Sequence, residues 1–260
     1  MSTSVPPHIP FTHWFARLRL DLPTVPEALA RLLLLVVVAL FLLTFVLQPY
    51  LIPSASMERT LLVGDFLLVN KQVYAPSGRF TRFLLPYRDV VRGDIVVFHH
   101  PQHPYVVKRV VGLPGDRLSI NDGQVSVNGA LLNEPYADFD PAIRNSIHDV
   151  FPASVYSDPN VDLAWWKQMQ SLIRDGELVV PQDEYFVLGD NRDHSDDSRF
   201  WGFVSRQQIV ARPLVIYFSL FRPSMADRLQ AADDKLGHDG DISPRMNGFA
   251  RWKRIFRVVH

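Results

Sequence analysis

Apolar residues are spread unevenly along this chain, and the unevenness divides it. From Leu32 to Leu47 they run without a charge. That stretch is about 16 residues long, and about 21 with Gln48 to Ile52 added, enough for a helix to cross a bilayer core. Arg31 bounds one end, and Gln48, Pro49 and Tyr50 give an interfacial flank at the other. The pattern predicts a transmembrane anchor over residues 29–52, preceded by a short cytoplasmic lead, 1–28, of prolines and mixed charges. A cleaved leader is the competing reading, because Ser54, Ala55 and Ser56 are small residues at a suitable spacing. The length of the run and the roughly 30 residues before it weigh against that. A buried soluble helix would need apolar partners on every side. Arg17, Arg19 and Arg31 before the run, against Arg59 and Lys71 after it, give a slight positive-inside bias toward a cytoplasmic N-terminus.

Beyond the run the pattern changes to period two and short apolar blocks. Phe66–Val69, Asp94–Phe98, Tyr105–Val111, Arg117–Ile120 and Gln124–Val127 read as strands, separated by Gly-Asp, Pro-Gly-Asp and Asp-Gly turns. Asp122-Gly123 between two alternating segments predicts a hairpin. Residues 137–160 show no period. Asn160 is a candidate cap for a short amphipathic helix carrying Leu163, Trp166, Met169 and Ile173 on one face. Strands resume at 178–180, 185–188 and 209–218, with Pro213 marking a bend or an edge. The picture is a mostly β domain. After residue 222 the chain is polar, then basic and aromatic from Arg251 to Arg257. That end reads either as a segment lying on an anionic membrane surface or as a frayed tail.

Composition narrows the chemistry. Lys plus Arg and Asp plus Glu balance at 27 each, which gives no reason to expect nucleic acid. The chain has no cysteine, which excludes a thiol nucleophile, a thiolate metal site and disulfides. At 260 residues and 47% hydrophobic it can hold one sizeable domain besides a membrane segment.

Three places carry candidate chemistry. Ser56 lies within about nine residues of the apolar run, a distance that tethers it near the bilayer surface. A hydroxyl needs a base to become a nucleophile, and none of the nine histidines has a flanking pattern that marks one. Lys108 is an alternative base. It alternates with Val106 and Val110 on one face of its strand, while Arg109 shares the other with Val107 and Val111, so at least one cation is expected against core. A buried lysine loses its proton readily and can then accept one from a hydroxyl. An edge-strand lysine reaching solvent is the plainer reading. The third place is the polar box Gly189–Gly202, directly after an apolar strand. There Asp197 and Arg199 are spaced to pair, and Ser195 could bond a neutral lysine amine. A calcium loop is the rival for this box. The EF-hand order of acids, glycine and terminal Glu is absent, however, and Arg192 and Arg199 would repel a cation.

Taken in order, Pro53–Met57, Arg92–Phe98, Tyr105–Asp116 and Gly189–Gly202 resemble the boxes of bacterial signal peptidase I, a Ser/Lys protease family. The resemblance covers roughly residues 30–220. It implies a coiled antiparallel β-sheet catalytic domain over residues 53–222, with 137–178 as a variable insertion and 223–260 as a tail outside the match. It implies Ser56 as nucleophile and Lys108 as general base. Ser54 and the Ser56 N–H would form the oxyanion hole, Ser195 would orient the lysine, and Asp197 with Arg199 would be the supporting ion pair. No cofactor or metal is implied. The implied partners are secretory preproteins, the lipid bilayer and the export machinery, and the implied location is the extracytoplasmic side of the cytoplasmic (inner) membrane, held by a single pass. One departure stands out: Arg59 occupies a position where the family has Pro, which bears on the local turn. Two other readings remain open: a different Ser/Lys protease, such as a self-cleaving repressor or a pilus-processing enzyme, and a non-catalytic tethered β-domain.

Overall fold

The computed structural model describes residues 24–74, 88–101, 103–139, 149–153, 156, 158–221 and 250–259. Residues 1–23 of the predicted lead and 222–249 of the polar stretch lie outside them, while 24–28 open the helix described next. The described residues fall into two compact units that divide between Leu43 and Thr44.

The first unit is a helix over Val25–Phe41, opened by a Thr24/Glu27 capping box with Pro26 in the first turn. No residue of it is buried within the protein, and the stretch Val25–Thr44 is long and apolar enough to cross a membrane. The predicted anchor ran to Ile52, and here the structure corrects it. The helix passes through a π turn at Leu42–Val46, and Leu47–Leu51 is a strand, β1. All five of its residues pair antiparallel with β2 (Asp65–Asn70). The apolar run therefore serves two structures. Pro49 fits the second, because its missing N–H is tolerated on the outer strand of a sheet.

The second unit is built on two antiparallel sheets. With β3 (Ile95–His100), β4 (His103–Gly112), β5 (Arg117–Asn121), β6 (Gln124–Val127), β7 (Ala130–Leu131), β8 (Val150–Phe151), β9 (Ile173–Arg174), β10 (Glu177–Val179), β11 (Glu184–Leu188), β12 (Val204–Ser205), β13 (Ile209–Ser219) and β14 (Arg257–Val258), the larger runs β1-β2-β13-β3-β4-β11-β12, with β14 also on β13. The smaller runs β7-β6-β5-β10-β9, with β8 on β5. The mostly β expectation holds. The Asp122-Gly123 hairpin forms with Asn121 opposite Gln124, and both turn residues have positive φ, 49° and 75°, as the mirror-image hairpin turn requires. Pro213 sits at a register shift of β13 against β2. It marks a bulge inside the sheet and not an edge, because β13 lies between β2 and β3.

The short helix forms at Leu163–Leu172, but its cap is Asp162, whose carboxylate accepts the Trp165 N–H at 2.8 Å. The buried face is Trp165 and Met169; Leu163 is exposed and Trp166 only half-buried. Ile173 has left the helix for β9. The predicted face is thus displaced toward its neighbours, because Trp165 is drawn under the polar box, donating its indole N–H to the Arg199 carbonyl at 3.2 Å.

Candidate active site

Ser56 lies in a single 3-10 turn, Ala55–Met57, between β1 and β2. Apolar side chains flank it: Ile52, Met57 and Leu61 are buried in the core cluster beneath. The turn is closed from within by Glu58 N–H to Ala55 O at 2.9 Å and Leu61 N–H to Met57 O at 2.8 Å. Ser56 is nearly buried, at 8% exposure, and its Oγ lies 3.4 Å from the Oγ of Ser54. Arg59, just after the turn, has φ of 84°. A proline at this place could not adopt that angle, since its ring fixes φ near −65°, so the departure at Arg59 goes with a different local backbone. The Arg59 side chain reaches out to the Ala137 carbonyl at 2.7 Å.

Lys108 is in the middle of β4, between β3 and β11, and only 3% exposed. Both cations of the strand are buried, one on each face. Burial is the main reason that the Lys108 ammonium loses its proton early, with its pKa lowered from 10.5 to about 8; Arg199 pushes the same way, while Asp197, Asp196 and Asp190 oppose. β4 packs against the turn that carries Ser56. Ser54, Ser56 and Lys108 line one cavity of about 640 Å³. Part of its wall is apolar, from Leu51, Ile52, Val106 and Val107; His194, Asp196 and Trp201 are also exposed to it.

The polar box is a frame of charge-assisted hydrogen bonds. Asp197, fully buried, takes Arg199 Nε at 2.8 Å and a second guanidinium nitrogen at 2.8 Å. It also accepts the Ser195 hydroxyl at 2.6 Å and the Gly189 N–H at 3.0 Å. Arg199 and the Ser195 bond hold the Asp197 carboxyl below its ordinary range against the opposing effect of burial. Asp190 takes Arg109 in a fork at 2.8 and 2.7 Å and the Thr60 hydroxyl at 2.5 Å. Arg192 makes the same kind of fork with Glu134, at 2.9 and 2.6 Å. Between them Asn191 reaches the Ser56 turn, its N–H to Ser56 O at 3.1 Å and its Nδ2 to Ala55 O at 3.3 Å. Gly189 is required by this approach, because a Cβ there would run into the Ser195 hydroxyl and the Ser56 carbonyl.

The structure thus brings Ser54, Ser56 and Lys108 to one cavity and joins Ser195, Asp197 and Arg199 beside it. Ser195 bonds Asp197 where the sequence reading had it bonding the lysine. Sequence reasoning missed two participants: Asn191 and the segment 134–138, which includes Glu134. That segment was taken partly as insertion, yet Asp138 N–H bonds Asp190 O at 2.7 Å and Arg192 N–H bonds Asp138 O at 2.8 Å. Only the position of Asn191, between two charges inside the box, could have signalled it. Among the described residues no group of three or more His, Asp or Glu is placed to hold a metal ion.

An antiparallel β domain with a hydroxyl and a buried amine on one cavity fits the class of the serine hydrolases. Sequence comparison makes it specific. The profile of the family described as "Signal peptidase, peptidase S26" matches residues 25–218. The chain is 35% identical over 238 residues to a signal peptidase I of Aquifex aeolicus (strain VF5), covering 76% of this chain and 86% of that one. It is 33% identical over 214 residues to the signal peptidase I of Pseudomonas aeruginosa, covering 73% and 71%. It is 35% identical over 205 residues to one from Leptolyngbya laminosa, covering 75% and 81%. The chain belongs to the signal peptidase family, peptidase S26, and is a serine peptidase.

Proposed function

We propose that this protein is a membrane-bound endopeptidase that removes N-terminal signal peptides from exported preproteins with a Ser56–Lys108 dyad. The observation that carries the reading is a lysine buried by a β strand, deprotonated unusually early, on the same cavity as a serine. Ser56 Oγ attacks the scissile carbonyl carbon and gives its proton to Lys108 Nζ. The oxyanion accepts the Ser56 N–H and the Ser54 hydroxyl, the kind of interaction that often supplies the largest single catalytic contribution. As the C–N bond breaks, the leaving amine takes the proton from Lys108 and an ester remains on Ser56. Water then attacks this ester, giving a proton to the same amine, and Ser56 recovers its proton as the peptide leaves. Ser195 spends its own proton on Asp197, so its oxygen is left to accept an N–H from the lysine and aim it. Asp197 and Arg199 hold Ser195.

The apolar stretch of the cavity wall suits the small residues at positions −3 and −1 of a signal peptide. The helix Val25–Thr44 would hold the enzyme on the bilayer that also holds its substrate, raising their effective concentration. In this reading the catalytic domain lies on the extracytoplasmic side of the cytoplasmic membrane, held by a single pass, with the export machinery as a neighbour.

The test is cleavage of a generic secretory preprotein by the full chain in detergent, beside Ser56→Ala and Lys108→Ala. Cleavage after a small residue, lost in both variants, is expected. Cleavage retained by either variant sinks the dyad, as does a fully active Lys108→Arg, because arginine is not a neutral base at working pH.

A further inference from the structure

The nucleophile turn is tied to the rest of the domain by Asn191, and the tie falls on a particular peptide unit. Ala55 C=O and Ser56 N–H are opposite ends of one planar trans amide. Whatever fixes the direction of the carbonyl also fixes the direction of the N–H. Ala55 O accepts Glu58 N–H at 2.9 Å, a bond inside the turn that moves with it. It also accepts Asn191 Nδ2 at 3.3 Å, from a segment 136 residues away. The next carbonyl, Ser56 O, accepts the Asn191 N–H at 3.1 Å. The amide nitrogen faces Ala55 O, an acceptor that only the nitrogen end can meet, and the amide oxygen lies 3.3 Å from His194 Nδ1.

Asn191 is itself held from both sides. Asp190 before it is gripped by the buried Arg109 fork, and Arg192 after it grips buried Glu134. Asp138 pairs with Asn191 in a parallel bridge and bonds the backbone of both neighbours. Two forks placed symmetrically about a neutral residue, with one bonded to the Thr60 hydroxyl just past the nucleophile turn, leave that residue little freedom except to meet the turn.

We propose that Asn191 is a positioning residue that aims the Ser56 N–H at the developing oxyanion by holding the Ala55–Ser56 peptide plane. The proposal rests on the Ser56–Lys108 reading and assigns the flanking ion pairs their purpose: they rigidify the loop that presents Asn191. Asn191 does not line the cavity that Ser56 and Lys108 share, so its effect belongs to the transition state, where the oxygen becomes an anion, and not to the bound ground state.

The experiment uses the full chain in detergent, with Asn191→Ala and the nearly isosteric Asn191→Asp, which puts an acceptor against Ala55 O. Two probes derived from a signal peptide ending Ala-x-Ala separate the states. The aldehyde is attacked by Ser56, forming an Oγ–C bond as the hydroxyl proton passes to Lys108, and so develops an oxyanion. The corresponding alcohol has no carbonyl to attack. We expect kcat to fall about tenfold in Asn191→Ala and about a hundredfold in Asn191→Asp, up to the lower end of what outright removal of an oxyanion donor costs, with KM within about twofold. The inhibition constant of the aldehyde should rise by the same factors while that of the alcohol stays put. An unchanged kcat in both variants overturns the proposal, and so does equal weakening of aldehyde and alcohol, which is the mark of a merely structural loss. Should Asn191→Asp not fold, Asn191→Ala decides alone. A wild-type protein that cleaves no preprotein and binds aldehyde no better than alcohol sinks the dyad reading along with it.

Discussion

Lys108 is held in a state that costs stability and, in the proposed dyad, supplies chemistry. A folded-state pKa lowered from 10.5 to about 8 makes protonated Lys108 unfavourable by about 3 kcal/mol relative to the unfolded chain. The unfolded chain binds the extra proton between those two values, so stability from this group rises with pH across that window and is at its poorest below about pH 8. Lys108→Met is therefore expected to be inactive yet more stable than wild type near pH 7, by up to about 3 kcal/mol, with the advantage fading between pH 8 and 10.5. Urea denaturation at pH 7 and pH 10 checks this, and a less stable variant at pH 7 refutes it. The same lowered pKa sets the acid limb of the reaction. The amine works when neutral, so kcat/KM should climb with pH and level off above about 8. A flat profile between pH 6 and 9 would separate the rate from Lys108. Gly189 is the opposite kind of residue, required for its lack of a side chain. Gly189→Ala should cost most of the activity by driving the Ser195 hydroxyl and Ser56 carbonyl apart.

Among the elements, the turn after Ser56 is the most idiosyncratic. Arg59 holds a φ of 84°, which costs a non-glycine residue about 1 kcal/mol. Arg59→Gly relieves that strain and loses an exposed bond to Ala137, so it should change the melting temperature little. Arg59→Pro cannot take the angle and should be less stable than Arg59→Gly by about 3 kcal/mol; a proline variant as stable as wild type would show that the turn readily refolds. Elements were legible where one physical signal dominated. The Asp-Gly hairpin and the alternating strands could be read because turn chemistry and period two leave few alternatives, and the alternation of β4 foresaw that at least one of Lys108 and Arg109 lies against core. The end of the anchor could not, since hydrophobicity alone does not separate a helix from the strand Leu47–Leu51 that follows it. The face of the helix Leu163–Leu172 was misread because apolar residues lie on several sides of it. Trp165 won through contacts with Gly202 and Arg199, which are distant in sequence. Asn191 was invisible for a similar reason: its partners are carbonyls, and the sequence does not show which carbonyls a loop will meet.

For the molecule as a whole, the C-terminal residues 250–259 are not a frayed tail. Their strand pairs with β13, and Val259 is buried in the core below Ser56. Arg254 forks onto Asp65 at 3.1 and 2.6 Å and donates to Thr60 O at 2.9 Å. Asp65 has no exposure and also accepts the Ser219 hydroxyl at 2.6 Å. Removing one partner of a buried pair leaves a charge stranded, which costs about 3–5 kcal/mol. Arg254→Met should be destabilised on that scale, and Asp65→Asn in the same chain should recover part of the loss. Additive losses in the double variant would show that the pair does not couple.

The bond from Arg254 to Thr60 spans 194 residues of sequence, and it has a consequence for how the enzyme is made. The serine leaves the ribosome well before the arginine, and at about 5–20 residues per second the gap is roughly ten seconds or more. Through that interval the turn that carries Ser56 lacks one of its braces, so the order of synthesis itself delays the finished shape of the turn.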